Sequence, residues 1–198
     1  MNTPAHLIVA AALFCRPTRP HERPAQQARV NAAALAGALI PDLSLFLMVL
    51  WESRVNLRTP EQIFGHDYRD PFWQAWFAVD NSIPLWAAVA LAGLALRAPA
   101  VLAFGGAALV HVLTDLPLHH NDARPHFLPF TDWVFVSPVS YWDPARYGWL
   151  VGPLEALLVA ALCLLLYRRF RSRLVHALLA AAMLAELAPA LVFPLILA

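Results

Sequence analysis

Two polar side chains stand at the end of a strongly apolar run in this 198-residue chain. His111 and Asp115 are four residues apart, so a helix places them on one face, one turn apart. A histidine nitrogen and a carboxylate oxygen on one face can together bind a divalent metal ion such as zinc. Because an ionisable pair in a membrane-grade segment costs free energy, its presence favours a functional role over chance.

The elements that must position this pair are apolar segments. The chain is 60% hydrophobic and only 14% charged, which is typical of a membrane protein. A membrane span needs about 20 residues. Of the six apolar segments given below, the second, fourth, fifth and sixth are long enough. The third is long enough if Asn81-Ser82 begins it, and the first, with 12 residues, is short for a span. We predict an all-α, polytopic membrane helix bundle of five or six spanning segments, forming a single domain over residues 1–198. The six apolar segments are Pro4–Cys15, Val30–Trp51, Ile83–Leu96, Ala98–Leu118, Tyr147–Tyr167 and Leu174–Leu197.

Arginine placement predicts the orientation of these segments. Nine of the fourteen arginines lie in the three short connections, and the two long connections, Glu52–Ser82 and His119–Arg146, hold the other five. The positive-inside rule therefore places the short connections on the cytoplasmic side. All seven tryptophans fall in or beside the long connections, as an interfacial belt would. The amino-terminal residues lack the basic region of a signal peptide, so we expect them to be retained.

The long outer connections carry signals of local order. Thr59-Pro60-Glu61 and Asp70-Pro71 each resemble a helix start, with a capping side chain followed by proline. Aromatic residues at helical spacing in Phe72–Val79 predict a short interfacial helix. The stretch Trp133–Trp142 suggests a small hairpin.

Six ionisable residues from five segments lie at a similar depth. Counted from the nearest cytoplasmic arginine at about 1.5 Å per residue, they form one layer in the outer half of the membrane. An intramembrane ionisable residue is by default a candidate for function. For two of them, Glu155 and Glu186, a structural role near the headgroups or a loosened backbone is an equal alternative. The layer contains His6, Asp42, His111, Asp115, Glu155 and Glu186.

Further histidines lie just outside this layer. His66 belongs to the first outer connection, and His119, His120 and His126 belong to the second. His119 continues the four-residue spacing of the His111–Asp115 pair. Any of these could instead be a solvated loop histidine.

The layer has the donor atoms of an open, catalytic metal site. No cysteine belongs to it, which argues against a closed thiolate site. Histidine and carboxylate ligands favour one or two divalent ions, most readily zinc, that would acidify bound water and polarise a phosphoryl or carbonyl oxygen. Asp115, with two oxygens, is the candidate bridge between two metals, and Asp42 is the candidate group for orienting or deprotonating the attacking water.

The order of these motifs carries a resemblance over roughly Thr3 to Pro129. Thr3-Pro4-Ala5-His6-Leu7, Leu39-Ile40-Pro41-Asp42, His66 and the His111–Asp115 pair follow in sequence. In this order they resemble the bacterial membrane-bound metal-dependent hydrolases of the LexA-regulated inner-membrane type. That group is similar in motif order to the all-helical zinc-dependent phospholipase C and P1 nuclease proteins.

The resemblance implies a role for each residue. His66, His111 and Asp115 would hold one zinc, His6 would join Asp115 at a second, and Asp42 would serve the nucleophilic water. His119, His120 or His126 would be available for further contacts. The chain also departs from the pattern. Ser44 and Val151 stand where the relatives carry an acid and a histidine, and the His-Arg-xxx-His-Ser stretch of the membrane relatives is reduced to His66-Asp67-Tyr68-Arg69.

These observations support a leading hypothesis and two alternatives. The leading one is a zinc-dependent phosphoester hydrolase of the bacterial inner membrane, with its site facing the periplasm and membrane lipid as both solvent and candidate substrate. The first alternative is a non-catalytic accessory or assembly protein that retains a metal site, and the second is an ion or proton transporter. The formal net charge of +1 gives no basic field for nucleic acid, and protein partners stay open.

Overall fold

The computed structural model describes the backbone of residues 1–196 and the side chains of residues 1–188. This part of the chain is all-helical, as predicted, and contains no β-strand beyond one isolated bridge between Pro125 and Val134. The hairpin predicted for Trp133–Trp142 is therefore wrong. That stretch is irregular because its backbone groups bond to other loops and side chains; the amide of Ser137, for example, donates to the carbonyl of His119.

Eight α-helices follow one another within residues 1–196. Short 3₁₀ turns add Asp67–Arg69, Leu116–Leu118 and Pro144–Arg146. The helices are α1 Thr3–Phe14, α2 Pro24–Arg54, α3 Pro60–Gly65, α4 Pro71–Asp80, α5 Ile83–Ala95, α6 Pro99–Asp115, α7 Gly148–Arg169 and α8 Arg173–Ile196.

Among the described residues, four helical stretches are long and apolar enough to cross a membrane, which supports four of the five or six predicted spans. They are Pro24–Arg54, Pro71–Ala95, Pro99–Leu118 and Gly148–Arg169. Helix α1 has 12 residues, which extend about 18 Å and fall short of a hydrocarbon core of about 30 Å. Helix α8 covers the sixth apolar segment, whose last residue, Leu197, lies outside the described residues.

The helix starts in the first outer connection follow the predicted capping chemistry. Thr59 caps α3, and its side chain and that of Gln62 form a reciprocal capping box. The Asp70 carboxylate accepts from the amide of Phe72 and caps α4, the predicted short aromatic helix. Ser82 caps α5 through the amide of Leu85. These caps define where the loops end and hold α4 against α2.

Helix α1 lies inside the bundle although it is too short to span it. It packs against α2, α6, α7 and α8. Its buried residues include Ala5, His6, Ile8 and Ala10, so both apolar and polar side chains face neighbouring helices. Because the helix is surrounded, its first turn brings polar groups into the middle of the bundle.

Glycines set the close packing of α6 against its neighbours. A Cβ atom on Gly37 of α2 would lie 2.1 Å from the carbonyl oxygen of Phe104. A Cβ on Gly93 of α5 would lie 2.3 Å from the backbone nitrogen of Leu102. Small residues at helix contacts let backbones approach closely, which is the usual source of packing energy in membranes. The α2–α6 approach also sets the distance between the polar residues on these two helices.

We predict that Gly37→Ala destabilises the protein by about 1–3 kcal/mol, since the added methyl forces α2 away from the α6 backbone. Thermal unfolding of the detergent-solubilised protein measures this. Gly65→Ala is the matched control, because a Cβ there meets nothing within 4 Å. Equal unfolding midpoints for the two variants would contradict the close α2–α6 packing.

Candidate metal centre

The centre is built around His111 and Asp115, which lie at the carboxyl-terminal end of α6. Both are buried, with 1% and 3% of their surface exposed. As the four-residue spacing predicts, they share a helix face, and Nε2 of His111 lies 3.3 Å from Oδ2 of Asp115. On the other side of the ring, Nδ1 of His111 is 2.7 Å from the carbonyl oxygen of Ala38 on α2. The imidazole is thus held between two helices.

His6 comes to the same place from α1. Its ring stacks on that of His111, with centroids 3.5 Å apart and an interplanar angle of 7°. Nε2 of His6 lies 2.9 Å from Oδ1 of Asp115, and Nδ1 lies 3.4 Å from Oγ1 of Thr114. One nitrogen each from His6 and His111 and one oxygen of Asp115 all lie within 4.8 Å of one another. These three buried residues form a possible metal-ligand group.

The hydrogen-bond pattern assigns the tautomer of His111. The Ala38 carbonyl can only accept, so Nδ1 of His111 carries the proton. In the neutral ring, Nε2 of His111 therefore presents a lone pair to the Asp115 carboxylate, and it has no hydrogen-bond partner among the described residues. The ring of His6 contacts the Thr114 hydroxyl through Nδ1 over 3.4 Å and the Asp115 carboxylate through Nε2 over 2.9 Å, and the shorter contact favours a proton on Nε2.

Asp42 completes the inner side of the cluster from α2. It follows Pro41 within a helix that continues to Arg54. One carboxylate oxygen, Oδ2, accepts a hydrogen bond of 2.5 Å from the hydroxyl of Thr3. The other oxygen, Oδ1, lies 3.7 Å from Nε2 of His111. Two carboxylates and two histidine nitrogens thus converge in one buried space.

The residues before His6 connect the cluster to the last two helices. The α-amino group of Met1 lies 2.6 Å from Oδ1 of Asp115. The Asn2 backbone amide donates to Oε1 of Glu155 over 2.6 Å, and its side-chain amide donates to Oε1 of Glu186 over 3.1 Å. The predicted layer of six ionisable residues is thus one contact network, and Asn2 is the link that joins its two halves.

Of the four loop histidines, His119 lies beside the cluster. Its Nε2 is 3.4 Å from Oδ2 of Asp115, and its Nδ1 is 2.8 Å from Oδ2 of Asp122. Burial raises the pKa of Asp122, but the hydrogen bond and charge of His119 outweigh that effect, so the net pKa is lowered. The turn at Leu116–Leu118 carries the chain past Pro117 and keeps His119 next to Asp115.

The other three histidines have separate surroundings. The side chain of His66 is 81% exposed, and its Nδ1 lies 2.9 Å from Oδ1 of Asp67. Nδ1 of His120 contacts the carbonyl oxygen of Ser137, and Nδ1 of His126 contacts that of Asn81. The structure does not bring His66, His120 or His126 to the cluster.

Sequence reasoning did not identify the groups that contact the site side chains and orient them. Thr3 orients Asp42, Thr114 orients His6, and the carbonyl of Ala38 orients His111. Thr3 lies three residues before His6, a helical spacing that could have indicated a shared face. No pattern in the sequence indicates the Ala38 contact, because it depends on the approach of α2 to α6.

The comparisons with known proteins add no relative to this geometry. No protein-family model, no curated protein and no solved structure matches the chain. Function is therefore inferred from the chemistry and geometry of the residues themselves.

We predict that Asn2→Ala lowers the free energy of unfolding by about 1–3 kcal/mol, because it leaves a buried oxygen of Glu186 without its amide donor. Asn56→Ala is the matched control. It also removes an amide–carboxylate bond, to Glu52, but from an exposed asparagine. Thermal unfolding in detergent compares the two, and an equal effect would show that the Asn2 link contributes no more than a surface contact.

Proposed function

We propose that this chain is a membrane-embedded, divalent-metal-dependent hydrolase of a phosphoester. One observation carries the proposal: the Nε2 atoms of His6 and His111 lie 2.9 Å and 3.3 Å from the carboxylate of Asp115, and the three residues form one buried group. Because Nδ1 of His111 donates to the Ala38 carbonyl, the Nε2 lone pair of this ring is directed at the carboxylate, and it is repelled unless a proton or a metal cation lies between them. A metal ion is the cation that would bind both rings and the carboxylate together.

The residues present fit zinc. Two imidazole nitrogens with one or two carboxylates make a ligand set that zinc accepts, and three protein ligands leave a position for water or substrate. Each ring is supported by a second contact, which orients the ligand nitrogen in the manner of known metal sites. We assign His6, His111 and Asp115 as ligands of a first ion. His119, which Asp122 orients on the far side of its ring, would be the residue that helps Asp115 to hold a second ion.

The proposed chemistry divides between the metal and the chain. A bound divalent ion supplies polarisation of a phosphoryl oxygen and a lower pKa for water. Asp42 has one oxygen held by Thr3 and the other directed towards His111, so it is positioned to orient the attacking water and take its proton. The stacked rings of His6 and His111 exclude bulk water from that side of the site.

The substrate and location follow from the surroundings of the cluster. It lies at the end of α6 away from the arginine-containing cytoplasmic connections, which supports a site in the outer half of the membrane. In a bacterial inner membrane this face is periplasmic, and the depth is that of the headgroups. A phospholipid headgroup is therefore the substrate that we propose. The motif order shared with the membrane-bound metal-dependent hydrolases supports the same reaction class.

We predict that the purified protein binds about one to two zinc ions per chain and that Asp115→Ala loses them. The substitution removes the oxygens that face both histidines. His111→Ala should have the same effect, with loss of phosphoester hydrolysis and an unchanged helical content. Metal analysis, circular dichroism and phosphate release measure the three properties.

His66→Ala is the matched control, since this exposed side chain contacts Asp67 instead of the cluster. It should keep both zinc and activity. A zinc content near zero in both the wild type and Asp115→Ala would contradict the proposal. Zinc binding without turnover of any phosphoester would identify a non-catalytic accessory protein that retains the site.

A further inference from the structure

A buried arginine in the second outer connection has no acidic partner. Arg124 is only 4% exposed. Its Nε donates to the hydroxyl of Tyr68 and its Nη1 to Oδ1 of Asn81, each over 3.2 Å. The guanidinium also lies over the ring of Phe77, 5.1 Å from the centroid. Within the described part of the chain, no carboxylate oxygen lies within 4.0 Å of its nitrogens, although buried arginines are usually paired with acids.

The neighbours of Arg124 orient it without neutralising it. The Tyr68 hydroxyl donates to the carbonyl of Asp122 over 2.9 Å, so its lone pairs face the guanidinium. The Asn81 amide donates to the carbonyls of Pro41 and Phe77, which turns its oxygen towards Arg124. These contacts use Nε and Nη1 of the arginine. Among residues 1–188, Nη2 has no acceptor.

Two contact routes connect this arginine to the proposed metal centre. Asn81 bonds to the carbonyl of Pro41, which directly precedes Asp42. On the other side, the Tyr68 hydroxyl donates to the backbone carbonyl of Asp122. The ring of His119 lies between the carboxylates of Asp122 and Asp115 and contacts both. Arg124 is thus joined to the cluster by two short chains of contacts, one through Asn81 and one through Tyr68.

The charges that act on Arg124 are consistent with a position near the cluster. Burial lowers the pKa of the Arg124 guanidinium, but the Tyr68 hydroxyl and the carboxylates of Asp42 and Asp115 outweigh it, so the net pKa is raised. The arginine therefore stays charged, and its charge acts in the same space as the two carboxylates of the cluster.

We propose that Arg124 binds the phosphoryl group of the substrate through the non-bridging oxygens, so that the site recognises an anionic phosphoester. This inference rests on the proposed function. A guanidinium presents parallel N–H donors that match two phosphoryl oxygens, and here one terminal nitrogen is unused. Because Asp42 and Asp115 repel an anion, a fixed positive charge beside them is what lets a phosphate approach.

The test compares phosphate binding and zinc content in the same zinc-loaded, detergent-solubilised protein. Calorimetry with inorganic phosphate, and with a short-chain phosphatidylcholine in phosphate-free detergent, gives the two affinities. Arg124→Gln should weaken phosphate binding about tenfold or more, with unchanged zinc content. Arg124→Lys keeps the positive charge but lacks the paired N–H donors of the guanidinium, so it should lose less phosphate affinity than Arg124→Gln. The matched control is Arg69→Gln, an exposed arginine whose Nη1 contacts only the carbonyl of Gly65.

The two probes distinguish the source of the phosphate. Loss of both affinities in Arg124→Gln supports recognition of a lipid phosphate, and loss of the inorganic phosphate affinity alone supports recognition of a soluble phosphoester. Unchanged affinities for both probes, or no binding of either by the wild type, would overturn the assignment. If Arg124→Gln does not fold, Tyr68→Phe serves instead. It leaves the charge but frees Nε, and it should weaken phosphate binding without changing zinc content.

Zinc content separates this inference from the function on which it rests. A wild-type protein without zinc overturns the hydrolase proposal, whatever the phosphate result. A zinc-containing protein whose phosphate affinity is independent of Arg124 overturns the arginine assignment alone.

Discussion

Burial of the Asp115 carboxylate is the constraint on which the rest of this structure depends. An ionised carboxylate in an apolar helix bundle is costly unless nitrogen donors or a cation compensate it. Here one carboxylate faces the amino group of Met1 and the rings of His6, His111 and His119. These groups come from α1, α6 and the loop that follows α6. The position of a short internal helix and the path of a loop are therefore both tied to a single charged group.

The close approach of α2 to α6 supplies the second requirement, which is orientation. A histidine can present its Nε2 lone pair only if something holds the proton on Nδ1. For His111 that partner is a backbone carbonyl of α2, and its distance depends on Gly37 lying directly against the α6 backbone. Packing among small apolar residues thus controls the chemistry of a polar one. Backbone contacts of this kind are rigid, so the orientation of the His111 ring is set by the packing of the helices.

Charge is arranged in two groups that are joined by short chains of contacts. One group combines Asp42 and Asp115 with two histidine rings, and the other holds Arg124 among uncharged partners. If the first group binds a cation as proposed, it and the unpaired guanidinium together make the arrangement expected of a site for a phosphate. The proposed hydrolase and the proposed role of Arg124 share this electrostatic argument but depend on different residues.

The sequence by itself determined the helical class and the membrane-grade apolar stretches. These follow from composition and helical periodicity, both of which are local. It also paired His111 with Asp115, because four residues make one helical turn. The depth of the ionisable residues and the count of five or six spans stay predictions; among the described residues four stretches are long and apolar enough to cross a membrane, and α1 is apolar but too short.

Only the tertiary structure decided which polar residues meet. His66, His119 and His120 all lie in the long connections, and no local signal distinguishes the exposed His66 from the buried His119. The roles of Asn2, Thr3 and the Ala38 carbonyl depend on contacts between residues far apart in the chain. Arg124 lies in no motif, and its lack of an acidic partner becomes visible only when the loops are folded over the bundle. Hydrogen bonds and charge pairs between distant segments depend on helix approach and loop path, and a linear sequence encodes both only through the packing of the whole chain.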